Sequence, residues 1–429
     1  MPEENSLLNV YKNFKAEPLK TPEEFSKFYV ERPIKSTLMK ELKTKIENAE
    51  RGKFLFIGHR GSGKSTELNK LSSELEENFL VIRYSIKENL DMNDITIKDF
   101  LLSLGLKIYE LGEQNNIEFS TELKDDFMRF VRETTHIKEK EIKELKGAGL
   151  SFTKIFMAKI GIESQTKDYV REELKTKITD LVRKINNLIA VIENLSNKKI
   201  LIVVDDTDKL TRYEQAEDLF YKNYSLLLQI DCNVIYTFPI PLVFDPYFES
   251  VQNKFDGICV LPQPAVKSKN LEIFDDDGIN FFKNIFYKRV NERKDTIDEN
   301  TLEYAIISTG KLSEFVNVIR DALIKSTVKG KTKIEKEEIE ECASDLRGIY
   351  EKALTQKHIS TLLEIHETKH ASDKSPEEKI VRDMLFSLII VEYENKEGKR
   401  WHEINPILFP LIDKWKNILQ EKQGMKYTL

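Results

Sequence analysis

Apolar residues fall into two patterns along the chain. Short, β-rich apolar runs recur at Phe54–Ile57, Phe79–Tyr84, Ile200–Val204 and Asn233–Phe238. Runs of this kind, without strict alternation, predict strands covered on both faces, as in a parallel sheet. A shorter run, Gly257–Val260, leads into Leu261-Pro262-Gln263-Pro264, which reads as the exit from the sheet-bearing core. Elsewhere apolar residues recur at three- and four-residue spacing, the mark of amphipathic helices. Thr21-Pro22-Glu23-Glu24 predicts a helix start: a capping hydroxyl, Pro in the first turn, then acids at the positive end of the helix dipole. Further helices are predicted over about 34–49, after the first strand with Leu68 and Leu71 inward, and over 95–111.

Between 111 and 197 the pattern changes character. Lys138–Lys146 is dense in Lys and Glu and predicts a solvated helix face. Gly147–Ile162 carries three glycines and no helical stripe; it reads equally as a hairpin or docking loop and as a plain connector. Leu174, Ile178, Leu181, Ile185, Leu188, Ile192 and Leu195 form a coiled-coil-like seam. Its length favours an amphipathic helix packed on its own domain over a dimer zipper. From about Ser268 the chain turns helical, with a basic amphipathic helix at Asn280–Arg293 that carries Lys283, Lys288, Arg289 and Arg293. Leu302–Thr309 is a helix stopped at Gly310, and Ser313 is the expected N-cap of the helix that follows, to Ile324. One or two further helices cover 334–354, and a polar linker spans about 366–375. A terminal helix over 376–385, then strands Leu388–Tyr393 and Arg400–Ile404 around a turn at 394–399, make the pattern of a winged helix. Lys396, Lys399 and Arg400 make its wing mildly basic, and a protein-contact module is slightly favoured over DNA binding.

Composition narrows the class. The 429 residues suffice for roughly two to four domains, and 40% hydrophobic with 33% charged residues describes a soluble globular chain. A net charge of -6 excludes a uniformly basic nucleic-acid binder while leaving room for a local basic face. Cys232, Cys259 and Cys342 form no C-x-x-C pair and read as reduced, buried thiols. Neither a leader-type apolar segment nor a membrane-length run is present, so no membrane association and a cytoplasmic location are expected.

The chemistry concentrates in two stretches. After the first strand comes Gly58-His59-Arg60-Gly61-Ser62-Gly63-Lys64-Ser65, then Thr66 on a helix. This is G-x-x-x-x-G-K-[ST] in its strand–loop–helix context. Glycines let successive backbone N–H groups converge on one anion, and the helix start adds donors and its dipole. Lys64 is placed for the β- and γ-phosphates and Ser65 for Mg²⁺. The second stretch is the apolar run Ile200–Val204 ending in Asp205-Asp206. Carboxylates at the C-terminal end of a parallel strand lie at the sheet's ligand edge. Asp205 is the expected metal holder, Asp206 orients or deprotonates the attacking water, and Asp208 is a weaker third candidate. Thr237, near the end of the next strand, either senses the γ-phosphate or bonds locally. The cofactors implied are ATP and Mg²⁺.

Together these motifs resemble the AAA+/STAND class of P-loop ATPases, with Walker A at Gly58–Ser65, Walker B at Ile200–Asp206 and Thr237 in the place of sensor 1. The resemblance implies an α/β fold: a P-loop NTPase parallel sheet with a long helical insertion, a helical lid and a winged helix. Its expected limits are 1–265 for the core, with the insertion at 111–197, then 266–365 and 366–429. In such ATPases the leader before the P-loop lies over the adenine, which makes Tyr29 and Val30 candidates there, against an ordinary packing role. Ser308-Thr309-Gly310 through Arg320 resembles a sensor-2 helix with Ser313 in the usual arginine position and Arg320 as substitute. Asp206 stands where AAA+ motors prefer Glu, which implies slow hydrolysis.

The domain order is similar to origin-recognition and loader ATPases and to STAND signalling ATPases. GHRGSGKSTEL with the terminal EYEN…W…NP resembles bacterial AAA-family ATPases without settled roles; some members of the broad class act in anti-phage defence. The resemblance implies a nucleotide-dependent switch that assembles as a homo-oligomer or signals to an effector protein. Arg171, Arg212, Arg289 and Arg293 are the candidates for an arginine finger acting on a neighbour. The alternatives are a DNA-binding loader or transposition regulator using the winged helix, and a scaffold that binds nucleotide but barely turns it over.

Overall fold

The computed structural model describes residues 6–33, 37–136, 164–210, 212–269, 274–291, 293–372, 379–395 and 397–426. The readings made above for 138–146, for 147–162 and for Lys396 lie outside the described residues. At the centre is a five-stranded sheet of β1 (Lys53–Ile57), β2 (Phe79–Ser85), β3 (Lys199–Asp205), β4 (Asn233–Phe238) and β5 (Gly257–Val260). The order is β2-β3-β4-β1-β5 and every neighbouring pair is parallel. All five strands therefore end on one edge. The loop after β1 and the acidic tip of β3 lie there with β4 between them.

Both faces of the sheet are covered, which is why the strands read as continuous apolar runs. On one face Phe54, Phe56, Leu201, Val203 and Ile235 pack under α3 (Leu38–Asn48) and α4 (Lys64–Leu75). On the other face Leu55, Ile57, Ile202, Val204, Val234 and Tyr236 join a core with helices Ile97–Gln114, Thr121–Thr135 and Ser164–Ser196. The seam of the last of these is spent inside the molecule. Leu174, Leu181, Ile185, Leu188 and Ile192 are wholly buried, and Leu195 at the end is exposed.

A second core is built by helices Asp276–Val290, Glu299–Thr309, Leu312–Val328 and Lys336–Lys352. Leu7 and Val10 of α1 (Ser6–Tyr11), with Phe14, pack into it. Gly310 ends its helix in the left-handed region (φ 57°), the role glycine fills at a helix C-terminus. Two helix starts differ from expectation. The basic helix begins at Asp276, because Asp275 caps it by accepting from the Gly278 amide at 2.9 Å, and it stops before Arg293. The helix assigned to a Ser313 cap instead starts at Leu312, with Lys311 at the cap position and no side-chain cap bond.

The C-terminal part carries helices Gln356–Thr368 and Ile380–Phe386, an antiparallel hairpin of β6 (Ile390–Glu394) and β7 (Arg400–Ile404), and helix Ile412–Lys426. Val391, Tyr393 and Trp401 pack with Ala265, so the hairpin lies against the segment leaving the sheet. The three cysteines are free and buried. Among the described residues no helix is long and apolar enough to cross a membrane.

Candidate functional site

The loop from Gly58 to Gly63 wraps back over the end of β1. Gly61 (φ 73°) and Gly63 (φ 94°) take left-handed conformations that residues with a Cβ rarely adopt. Space is short as well: a Cβ on Gly61 would lie 2.0 Å from Ser313 Oγ, and one on Gly63 would lie 2.9 Å from an Arg32 nitrogen. The Ser313 amide donates to Gly61 O at 3.2 Å. The start of helix Leu312–Val328 thus rests directly on the loop. Arg320 points elsewhere, at 3.0 Å from Asp321.

Lys64 opens α4 and is buried. Its ammonium donates to Gly58 O at 2.7 Å and His59 O at 2.8 Å, and pairs with Asp208 Oδ2 at 2.8 Å. Burial alone would raise the Asp208 carboxyl, but the Lys64 ammonium beside it holds it below its ordinary value. Asp208, the weaker candidate by sequence, is thus the acid that faces the P-loop lysine. Ser65 and Asp205 line one cleft, and the Asp205 pKa is raised by burial and by the neighbouring charges of Asp206 and Asp208. Asp206 stands in the left-handed region (φ 70°). One of its oxygens accepts from Ser85 and the other pairs with Lys209 at 2.5 Å. Thr237 is fully buried, and its hydroxyl meets Thr207, accepting from the Thr207 amide at 3.1 Å and sharing a 2.7 Å contact with its Oγ1. This clamp ties the tip of β3 to the end of β4.

Two loop residues are engaged by segments distant in sequence. His59 is buried, and its Nε2 accepts from the Glu392 amide of β6 at 2.7 Å. Arg60 donates to Asp208 O at 2.7 Å and Leu210 O at 2.9 Å, and its guanidinium lies over the Phe386 ring at 4.2 Å. Ser62 is wholly buried and its Oγ has no partner. Thr66 Oγ1 accepts from the Leu19 amide at 3.2 Å, and so pins the leader to α4.

An open cleft lies beside Lys64, Ser65 and Thr66. Tyr29 and Val30 line it, and so do Phe281, Ile285 and Arg289 of helix Asp276–Val290. Tyr29 donates to Glu67 at 3.0 Å. Sequence reasoning missed Arg32. It is buried, 3.2 Å from Glu67 and 3.2 Å from Pro262 O, and it also donates to Ser62 O. The only hint in the sequence was its position just before the helix that leads into β1.

The four finger candidates separate. Arg171 is engaged by Asp94 and Asp99, at 3.0 Å to the former, and Arg212 donates to Asn93 O. Arg289 faces the cavity of its own chain, and Arg293 stays near the surface, 3.8 Å from Asp295. The charges of the basic helix are likewise spent internally: Lys283 pairs with Glu299 and Glu303, and Lys288 donates to Tyr29 O at 2.7 Å.

No family model and no curated relative matches the chain. Its likeness is to solved structures alone. The chain is similar to the Walker-type ATPase paby2304 of Pyrococcus abyssi at 15% identity, covering 94% of this chain and 99% of that one, with a TM-score of 0.48. The ORC2 protein of Aeropyrum pernix, in ADPNP and ADP complexes, is similar at 12% identity over 96% and 98%, with a TM-score of 0.44. The Holliday junction branch migration motor RuvB of Thermotoga maritima matches at 12% over 90% and 95%, with a TM-score of 0.38.

Proposed function

We propose that the chain binds ATP with Mg²⁺ in the cavity beside Lys64 and hydrolyses it slowly, as an AAA+/STAND-type switch. The observation that carries this reading is that Ser65, in the first turn of α4, and Asp205, the first acid of the β3 tip, line one cleft. A hydroxyl and a carboxylate beside each other at a strand's C-terminal edge offer oxygen donors of the kind Mg²⁺ takes alongside water and phosphate oxygens. The loop amides of 58–63, the unpartnered Ser62 hydroxyl and Lys64 fit a polyphosphate. Bound Mg²⁺ would neutralise charge on the phosphates. Lys64 would leave Asp208 for the phosphate oxygens, and Asp206, held between Ser85 and Lys209, would orient the attacking water. Thr237 would act indirectly, by fixing the β3 tip through Thr207. Tyr29 and Val30 would bound the adenine.

Residues 266–365 serve as the lid and 366–429 as a winged helix in this reading. The hairpin cations are matched by its own acids: Arg400 lies 3.0 Å from Glu394, and Lys399 lies 3.1 Å from Glu397. That favours a protein partner, a second copy or an effector as in anti-phage defence, over duplex DNA. Calorimetry with ATP and Mg²⁺ tests the site. Lys64→Ala is expected to weaken binding about 10–100-fold, the worth of a charge-assisted hydrogen bond. Asp206→Asn is expected to keep binding and lose turnover. A wild-type protein indifferent to ATP, or an unimpaired Asp206→Asn ATPase, would refute the assignment.

A further inference from the structure

A lysine ammonium has three donors, and those of Lys64 are all engaged. Two go to Gly58 O and His59 O, at 2.7 Å and 2.8 Å, and the ammonium meets the Asp208 carboxylate at 2.8 Å. Both members of the ion pair are buried, each with a relative exposure of 4%. The two carbonyls belong to the glycine loop itself, so Asp208 supplies the negative charge. Apart from Lys64, neither carboxylate oxygen of Asp208 has a partner among the described residues.

The backbone around Asp208 is built to present it. Asp206 takes a left-handed conformation (φ 70°) that opens the short turn Thr207–Lys209. Thr207 fastens this turn to Thr237 at the end of β4, and Arg60 donates to Asp208 O at 2.7 Å and to Leu210 O at 2.9 Å. The main chain is therefore held from β4 and from the glycine loop, while Lys64 alone holds the carboxylate. Asp208 also stands apart from the two acids before it. It lines the cleft with Gly61, Gly63 and Lys64, whereas Asp205 and Asp206 line the neighbouring cleft that Ser65 shares.

A buried ion pair adds little net stability, but removing one partner strands the other and is costly. A phosphate brought to Lys64 would meet the Asp208 carboxylate at the same ammonium, two anions competing for one donor. We propose that Asp208 is a displaceable counter-ion, a positioning residue that holds Lys64 until a phosphate takes its place and recaptures it when the phosphate leaves. Asp208 then stabilises the ligand-free protein and opposes every ligand that brings a phosphate to Lys64. The proposal rests on the nucleotide reading of this cleft, and gives the third acid after β3 a role other than holding metal or water.

The test joins thermal melts to calorimetry of ATP with Mg²⁺, ADP and adenosine on wild type, Asp208→Asn, Lys64→Met and the double variant. Without ligand, Asp208→Asn is expected to melt about 5 °C or more below wild type. On the Lys64→Met background the same change should cost nothing or restore stability, because no ammonium is left to strand. ATP and ADP should bind Asp208→Asn about 10-fold tighter or more, and at saturating ATP its melt should rejoin that of wild type. Adenosine affinity should change less than about two-fold, or be undetectable throughout, because adenosine carries no phosphate. If Asp208→Asn does not stay folded without ligand, refolding with ATP and Mg²⁺ should recover it, and no recovery would overturn the proposal. Weaker ATP binding, the mark of a metal or water ligand, would overturn it too, as would tighter binding with an unchanged ligand-free melt, the mark of simple repulsion. Failure of the wild type to bind ATP would instead sink the nucleotide reading beneath it.

Discussion

His59 sits at the second position of the glycine loop, yet its side chain serves a contact with residue 392. Its Nε2 must stay unprotonated to accept the Glu392 amide, and its Nδ1 is buried without a partner. Burial, only partly opposed by Glu392, lowers its pKa to about 3. The unfolded chain, with histidine near 6.5, takes up the proton first as pH falls. This contribution to stability is therefore intact above about pH 6.5 and is lost progressively between there and about pH 3. His59→Gln, which can still accept the amide, should flatten urea stability against pH in that window by about 1.4 kcal/mol per pH unit. An unchanged slope would show that His59 does not hold the hairpin on the loop. At this scale the sequence was legible where chemistry is local. The spacing from Gly58 to Ser65 and the pair Asp205-Asp206 can be read without a fold. Arg32 on the loop, Asp208 on Lys64 and the His59–Glu392 bond could not, because their partners are distant in sequence and no local period encodes them.

Among the elements, the strands were legible because burial on both faces leaves an unbroken apolar run. The helix termini were less so. A cap is decided by which side chain can reach a free amide, so Asp275 outcompeted the apolar pattern and Ser313 was drawn to the loop instead. The seam of Ser164–Ser196 marks a further limit. Its spacing defines a stripe but not what covers it, and the cover is helix Ile97–Gln114. Gly105 permits the approach, since a Cβ there would meet Ile185 at 3.0 Å. Leu188→Ala should therefore cost about 2–5 kcal/mol in urea unfolding, as buried leucines do, and leave the mass by light scattering unchanged. A shift in oligomeric mass without loss of monomer stability would return the seam to an intermolecular role.

Across the whole molecule, the cavity draws its walls from the leader, the glycine loop and helices Asp276–Val290 and Leu312–Val328. Its apolar wall, Phe281, Ile285 and Val316, belongs to the second core, and its polar wall comes from the glycine loop and the start of α4. Saturation at about 100 times Kd should add about 2.7 kcal/mol to the stability of the parts that close on it. Hydrogen exchange with ATP and Mg²⁺ is expected to slow together in 15–32, 58–67 and 281–316, segments that line the cavity, and less in 97–135. Protection confined to the loop would mean that helices Asp276–Val290 and Leu312–Val328 do not sense the ligand.

The seat of Ser313 on Gly61 has a consequence for how the molecule can vary. No slack remains at that junction to absorb growth. A methyl group on the loop would drive a wedge under helix Leu312–Val328, and a bulkier residue at 313 would do the same from above. The two positions draw on one steric allowance, so enlarging either one props the jaw ajar unless the whole helix is reseated.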